Sequence, residues 1–194
     1  MANKVELYGL RPVRQLNGSP FINAQNRYRI AADYGTSIYQ GDLVEPLGTG
    51  YIAKHTGGTS GQVVGVFNGC FYTDPTTQKP TFSNYYPSST NASDIVAYVV
   101  DAPDTVFEIN SNLSFPNGVA ELFANYSVTD TTGSTKTGIS YAQLDVGSSG
   151  TAGTFAVQAI DISQNPDNND VTTSNIGVLV RINNHFYRQS GTGK

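Results

Sequence analysis

The chain has 194 residues and a formal net charge of −4, and only 13% of its residues are charged, about half the ~25% usual in a soluble domain. Its 20 glycines, 12 tyrosines and 38% apolar share are the palette of β-sheets with hydrogen-bonding loops, and the aromatic content argues against a disordered chain. A single cysteine excludes an intrachain disulfide framework, and no run approaches the ~20 apolar residues of a membrane-spanning helix.

Charge is distributed unevenly. Residues 1–29 hold Lys4, Arg11, Arg14, Arg27 and Arg29 against Glu6 alone, whereas residues 30–180 hold three lysines against fourteen carboxylates. A basic segment ahead of an acidic body suggests that the segment lies on an acidic partner, of which a copy of the same chain is one candidate. Residues 1–29 read as an extended arm. Pro12 and Pro20 withhold backbone donors, Asn17-Gly18-Ser19-Pro20 is a turn signal, and the apolar spacing fits no helix. Such an arm packs along its own domain or, less commonly, reaches a neighbour.

From residue 30 short strands follow one another, around Tyr28–Ala31, Ser37–Gln40, Asp42–Glu45 and Gly50–Lys54. Thr56–Gly61 reads as a hairpin tip. The run Gln62–Phe67 continues through Gly69–Thr73 after a bulge at Asn68-Gly69. Three prolines with Tyr85 and Tyr86 mark residues 74–91 as a long ordered excursion. Asp94–Asp101 is apolar on both faces and is expected to be a strand covered on both sides. Val119–Tyr126 is the one helical candidate, since Val119, Leu122, Phe123 and Tyr126 share a face at helical spacing. Residues 110–154 form a loop-rich insertion; 127–154 read as mobile or solvent-exposed, around an ordered island at 139–146. Phe155–Ile160 and Ile176–Ile182 close the chain as strong strands, the latter with Ile176, Val178, Val180 and Ile182 on one side.

The expected fold is therefore all-β, a small barrel with an N-terminal arm (1–29), one domain (30–194), long loops and at most one short helix.

Little in the chain is written for chemistry. His55 and His185 lie far apart, no zinc-ligand spacing occurs, and the Gly-rich 56–61 stretch lacks the Lys-Ser/Thr of a phosphate loop. Cys70 reads as a buried small hydrophobe. The Asn165–Asp170 loop offers oxygen ligands for calcium but lacks the EF-hand spacing, and such side chains more often bond their own backbone. Asp101, Asp104 and Glu108 read as solvated turn residues rather than a catalytic pair. An acidic body with scattered cations argues against nucleic acid. The expectation is a protein without enzymatic activity, cofactor or metal.

Several motifs together resemble a family of tailed-phage virion proteins from marine and cyanobacterial phages. They are MANKxELYGLRPVRxLNGSP at the start, IYQGDLV at 38–44, GVFNGCFYTDPTTQKP at 65–80, YYP at 85–87, DAPDTVFE at 101–108, PDNNDV at 166–171 and LVRINNHFYR at 179–188. The resemblance spans nearly the whole chain and is least distinct over 110–154. It implies a head decoration, or cement, protein with a barrel or β-tulip core. Such a protein would be made in the host cytoplasm and bind the outer surface of an HK97-fold shell. Its partners would be the major capsid protein and itself, as a homotrimer, with no membrane or nucleic acid. Within that role Arg11, Arg14, Arg27 and Arg29 are expected to meet acidic patches, and Tyr85 and Tyr86 a subunit contact. The alternative is a tail or fibre module that recognises a host surface glycan.

Overall fold

The fold is given by a computed structural model that describes residues 3–188; positions 1–2 of the expected arm and 189–194 of the expected domain lie outside the described residues. The protein is all-β, as its composition implies. Its strands are β1 (Arg11–Gln15), β2 (Asn26–Arg29), β3 (Ile38–Tyr39), β4 (Leu43–Pro46), β5 (Ile52–Lys54), β6 (Gly65–Thr73) and β7 (Pro80–Ser83). They continue with β8 (Tyr85–Tyr86), β9 (Val96–Val100), β10 (Thr105–Asn110), β11 (Asn125–Val128), β12 (Leu144–Gly150), β13 (Val157–Ile162) and β14 (Gly177–Ile182).

The first sheet has the order β1-β10-β14-β13-β11-β12 and the second β2-β9-β6-β4-β5, with β7 added to β6; β3 and β8 form a small pair. Neither order closes on itself among the described residues. The extended N-terminal segment is laid on its own domain and supplies an edge strand to each sheet: β1 pairs with β10, and β2 with β9.

Alternation along the strands decides what is buried. In the first sheet Phe107, Ile109, Val178, Val180 and Ile182 enter one core, which also takes Tyr126, Val128, Leu144 and Val146. Each such side chain contributes roughly 1.5–3 kcal/mol when fully buried. The second sheet feeds two cores. Leu43, Val66 and Val100 join the core of the first sheet. Their neighbours Val44, Phe67 and Val99 point the other way, into a second core with Cys70, Tyr72 and Ala97 that is covered by Ile30, Ile38, Tyr86 and Ile95. Cys70 is wholly buried there, and burial pushes its thiol up to about 12.

Three sequence expectations change. Val119–Tyr126 is not a two-turn helix: one 3-10 turn, Gly118–Glu121, ends at Leu122, whose backbone is extended. Tyr126 lies on β11 instead, fully buried, with its hydroxyl donating to the Glu121 main-chain carbonyl at 2.8 Å. The helical spacing was a coincidence of a turn and a strand placed end to end.

Residues 127–154 are no exposed insertion, because β11 and β12 are core strands at the end of the first sheet. The intervening chain is tied down as well: Lys54 Nζ meets Asp130 at 2.9 Å and the Thr131 carbonyl at 2.8 Å, and Ser140 Oγ donates to buried Asp42 at 2.5 Å. Thr56–Gly61 does not join paired strands, since β4 lies between β5 and β6. This loop spans the seam between the sheets. His55 Nδ1 accepts the Gly57 N–H at 2.9 Å, and the Gly57 carbonyl accepts from Val128 N on the first sheet at 2.8 Å. At its far end Val63 exchanges hydrogen bonds with Asn184 and Phe186 (both 2.8 Å).

Gly57 has φ +76°, and a Cβ there would overlap the Val128 carbonyl. Gly57→Ala is therefore expected to lower unfolding free energy by about 2–4 kcal/mol in urea denaturation. Gly48→Ala, where nothing lies within 4 Å, is expected to stay within about 0.5 kcal/mol of the parent.

Candidate partner-binding face

The first sheet covers only a corner of the second. Val100, beneath that cover, shares its face of β9 with Val96 and Tyr98, and the pairings Tyr98–Arg27, Val96–Arg29 and Phe71–Phe82 continue the same face across β2, β6 and β7. Beyond the corner this face is open, so β9, expected from its sequence to be covered on both sides, is covered on one side only at Val96 and Tyr98. Phe82 is 61% exposed, Arg27 and Arg29 are exposed, and Val96, Tyr98 and Phe71 are half-buried.

The residues form a ladder. The register of β6 slips between Phe67 and Cys70, and Gly69 at this bulge has a positive φ and no Cβ, which leaves room for the Phe82 ring against it. The Phe82 ring meets Tyr98 at 5.8 Å between centroids, tilted 45°, and the Arg27 guanidinium lies 5.8 Å from the Tyr98 centroid. Arg29 continues the row opposite Val96. Among the described residues no carboxylate pairs with Arg27 or Arg29. Two cations without a carboxylate partner, beside the half-buried Tyr98 ring and the exposed Phe82 ring, suit a partner that is acidic and partly apolar.

The six residues expected to meet partners are therefore separated. Arg27 and Arg29 sit on the ladder. Arg11 lies on β1 and does not face outward freely: its guanidinium pairs with Glu108 directly across the strand and stacks over Tyr8, 4.6 Å from the ring centroid. Glu108 is buried, so it is not the solvated turn residue the sequence suggested. Arg14 is half-buried and donates to the adjacent Gln15 carbonyl at 3.3 Å. Tyr86 is fully buried in the second core, with its hydroxyl donating to the Tyr34 carbonyl at 3.1 Å; it is a core residue, not a contact. Tyr85 is half-buried and stacked on Tyr39 at 5.4 Å, nearly parallel. Sequence reasoning missed Phe82 and Tyr98, although a β-strand phase counted from Arg27 through the β2–β9 pairing would have placed Tyr98 beside it.

Asp101 is likewise buried, contrary to expectation. Asn26 Nδ2 donates to both of its oxygens at 3.0 Å and the Tyr28 hydroxyl donates at 2.5 Å, while Tyr28 and Tyr187 pair through their hydroxyls at 2.9 Å. Burial, then the bond to Asp101, raises the Tyr28 hydroxyl far above its ordinary value. In the Asn165–Asp170 loop, Asp170 is held below the usual carboxylate range by its bonds to Thr172, and Asn168 Nδ2 donates to the Lys4 carbonyl at 2.7 Å. No group of three metal-ligating side chains occurs among the described residues.

His185, wholly buried near Asp101, accepts the Tyr187 N–H on Nδ1 at 3.1 Å. Burial lowers its pKa below the ordinary 6.5; Asp101 and Asp104 oppose that shift and Arg188 adds to it. With the folded value depressed, the stability it contributes is present above pH 6.5 and is lost as pH falls through the folded value. Urea midpoints should therefore fall more from pH 7 to pH 5 in the parent than in His185→Gln. Arg11→Ala should cost about 1–3 kcal/mol, because Glu108 loses its charged partner, and Arg11→Ala/Glu108→Gln should recover part of that loss in the same denaturation assay.

Comparison with protein-family models, with curated proteins and with solved structures finds no match to this chain.

Proposed function

We propose that the chain is a non-enzymatic virion structural protein, a decoration protein that seats on the outside of an HK97-fold phage shell through the open face of its second sheet. The observation that carries this reading is the ladder of Arg27, Tyr98 and Phe82 with Arg29: exposed aromatic area beside unpaired cations, on strands fixed by two cores. The sequence motifs that resemble phage virion proteins supply the setting, and an acidic patch on the shell would be the complementary partner. Rings already pinned by neighbours lose little freedom on contact, so more of the buried area is realised as affinity.

The work of such a protein is thermodynamic. A protein that binds the expanded shell, and neither the unexpanded nor the disassembled one, adds its binding free energy to the expanded state alone, about 2.7 kcal/mol per site at a free concentration one hundred times Kd. Bridging between adjacent capsomers, with the chain present as a homotrimer, multiplies modest contacts through effective concentration.

Purified protein co-sedimented with expanded capsids that lack it is expected to bind saturably, at near-stoichiometric ratio to the major capsid subunit, and to raise the temperature of capsid rupture. Protein that stays in the supernatant at all concentrations would overturn the reading in favour of a tail or host-binding role.

A further inference from the structure

We infer that the free edge of β2 accepts an extended, acidic segment of a partner protein as an added strand of the second sheet. β2 is the end strand of that sheet, bonded to β9 on one side. On the other side, among the described residues, nothing hydrogen-bonds the main chain of Asn26–Arg29. Alternate residues of an antiparallel edge turn both N–H and C=O outward, so about two donors and two acceptors stand open. Strand addition satisfies such groups and supplies affinity without side-chain recognition.

The edge adjoins a binding-sized space. An open groove of about 710 Å³ is lined by Gln25, Asn26, Arg27, Asp101, Pro103 and Tyr187, within the ~300–1,000 Å³ of ligand clefts. Its walls are preorganised, because Asp101 is clamped by Asn26 and Tyr28, and Tyr28 is joined to Tyr187. Little ordering remains to be done on binding.

Charge selects the occupant. Arg27 and Arg29 project from the same face of β2, opposite Tyr98 and Val96. Two copies of β2 paired about a two-fold axis with their faces aligned would set Arg27 against Arg29, and like charges directly opposite are destabilising. The edge is therefore guarded against its own copy. A strand with Asp or Glu at alternate positions would place a carboxylate opposite each guanidinium, and its intervening residues would enter the opposite face. That the segment belongs to the shell protein rests on the decoration reading above; the strand chemistry does not.

The test is NMR titration of the isotope-labelled full chain with the capped hexapeptide Glu-Val-Glu-Val-Glu-Val and with its counterpart in which lysine replaces glutamate. The acidic peptide is expected to shift the Asn26–Arg29 amides, slow their hydrogen exchange, and bind at least tenfold more tightly than the lysine peptide. Arg27→Glu/Arg29→Glu, with an unchanged urea midpoint, is expected to reverse that preference. Equal response to both peptides, shifts that bypass β2, or a preference retained by the variant would overturn the proposal; so would a dimer in which β2 alone gains protection. If the parent binds shells yet neither peptide, strand addition fails and the decoration reading survives. If the variant reverses its peptide preference yet fully occupies shells, strand addition stands and the shell is not its source.

Discussion

Everything in this molecule depends on the two-sidedness of its second sheet. Adjacent residues on β4, β6 and β9 send their side chains into different cores, Leu43 against Val44, Val66 against Phe67 and Val100 against Val99. That alternation lets one sheet meet the first sheet through a corner on one side and, on the other, pack against the β3–β8 pair together with Ile30 and Ile95. The seam between the sheets is tight at Gly57, where a Cβ would run into the Val128 carbonyl, and within the second sheet a Cβ at Gly65 would run into the Val100 carbonyl of the neighbouring β9. Where the cover ends, the same face continues outward through Tyr98, Val96, Phe71 and Phe82 to Arg27 and Arg29 at the sheet edge. The exposed ladder is thus a consequence of the topology, being the part of a packing face that the chain itself does not cover.

The charges divide along the same line. Two cations are held within the fold by buried carboxylates: Arg11 by Glu108, and Lys54 by Asp42, with exposed Asp130 as a second partner of Lys54. Removing one partner of such a pair leaves a charge stranded in low dielectric, so these residues belong to stability. Arg27 and Arg29 have no such duty. Their guanidiniums remain available on an edge strand, one over an aromatic ring, where an acidic surface would gain both a charge partner and apolar contact. The basic N-terminal segment read from the sequence as one unit is therefore two units, one structural and one outward-facing, separated by the crossing from β1 on the first sheet to β2 on the second.

The sequence carried the strands well where hydrophobic phase was clean. Val178, Val180 and Ile182 lie inward with Leu179 and Arg181 opposite, the bulge falls at Asn68-Gly69, and Cys70 is buried. It misled where two short elements abut. Val119 to Tyr126 has helical spacing only because a 3-10 turn ending at Glu121 is followed by extended Leu122 and by Phe123, at φ +69°, before β11 begins. Residues 127–154 hid core strands because Tyr126, Val128, Leu144 and Val146 belong to one packed layer but are divided by a polar stretch. That stretch is held by Lys54, Asp42 and Gln40, contacts far away in sequence. Tyr86 is buried for a related reason: its hydroxyl finds a carbonyl of the Tyr34 loop, which no local pattern announces. The candidate site was half legible, since Arg27 and Arg29 stand out as charges while Phe82 and Tyr98 join them only through pairing between distant strands.

The most direct test of the account is a cryo-electron reconstruction of expanded shells saturated with the protein. The account predicts that the second sheet faces the shell, with Arg27, Tyr98 and Phe82 at the contact and a shell segment running alongside β2. A reconstruction in which that face and the β2 edge point into solvent would contradict it.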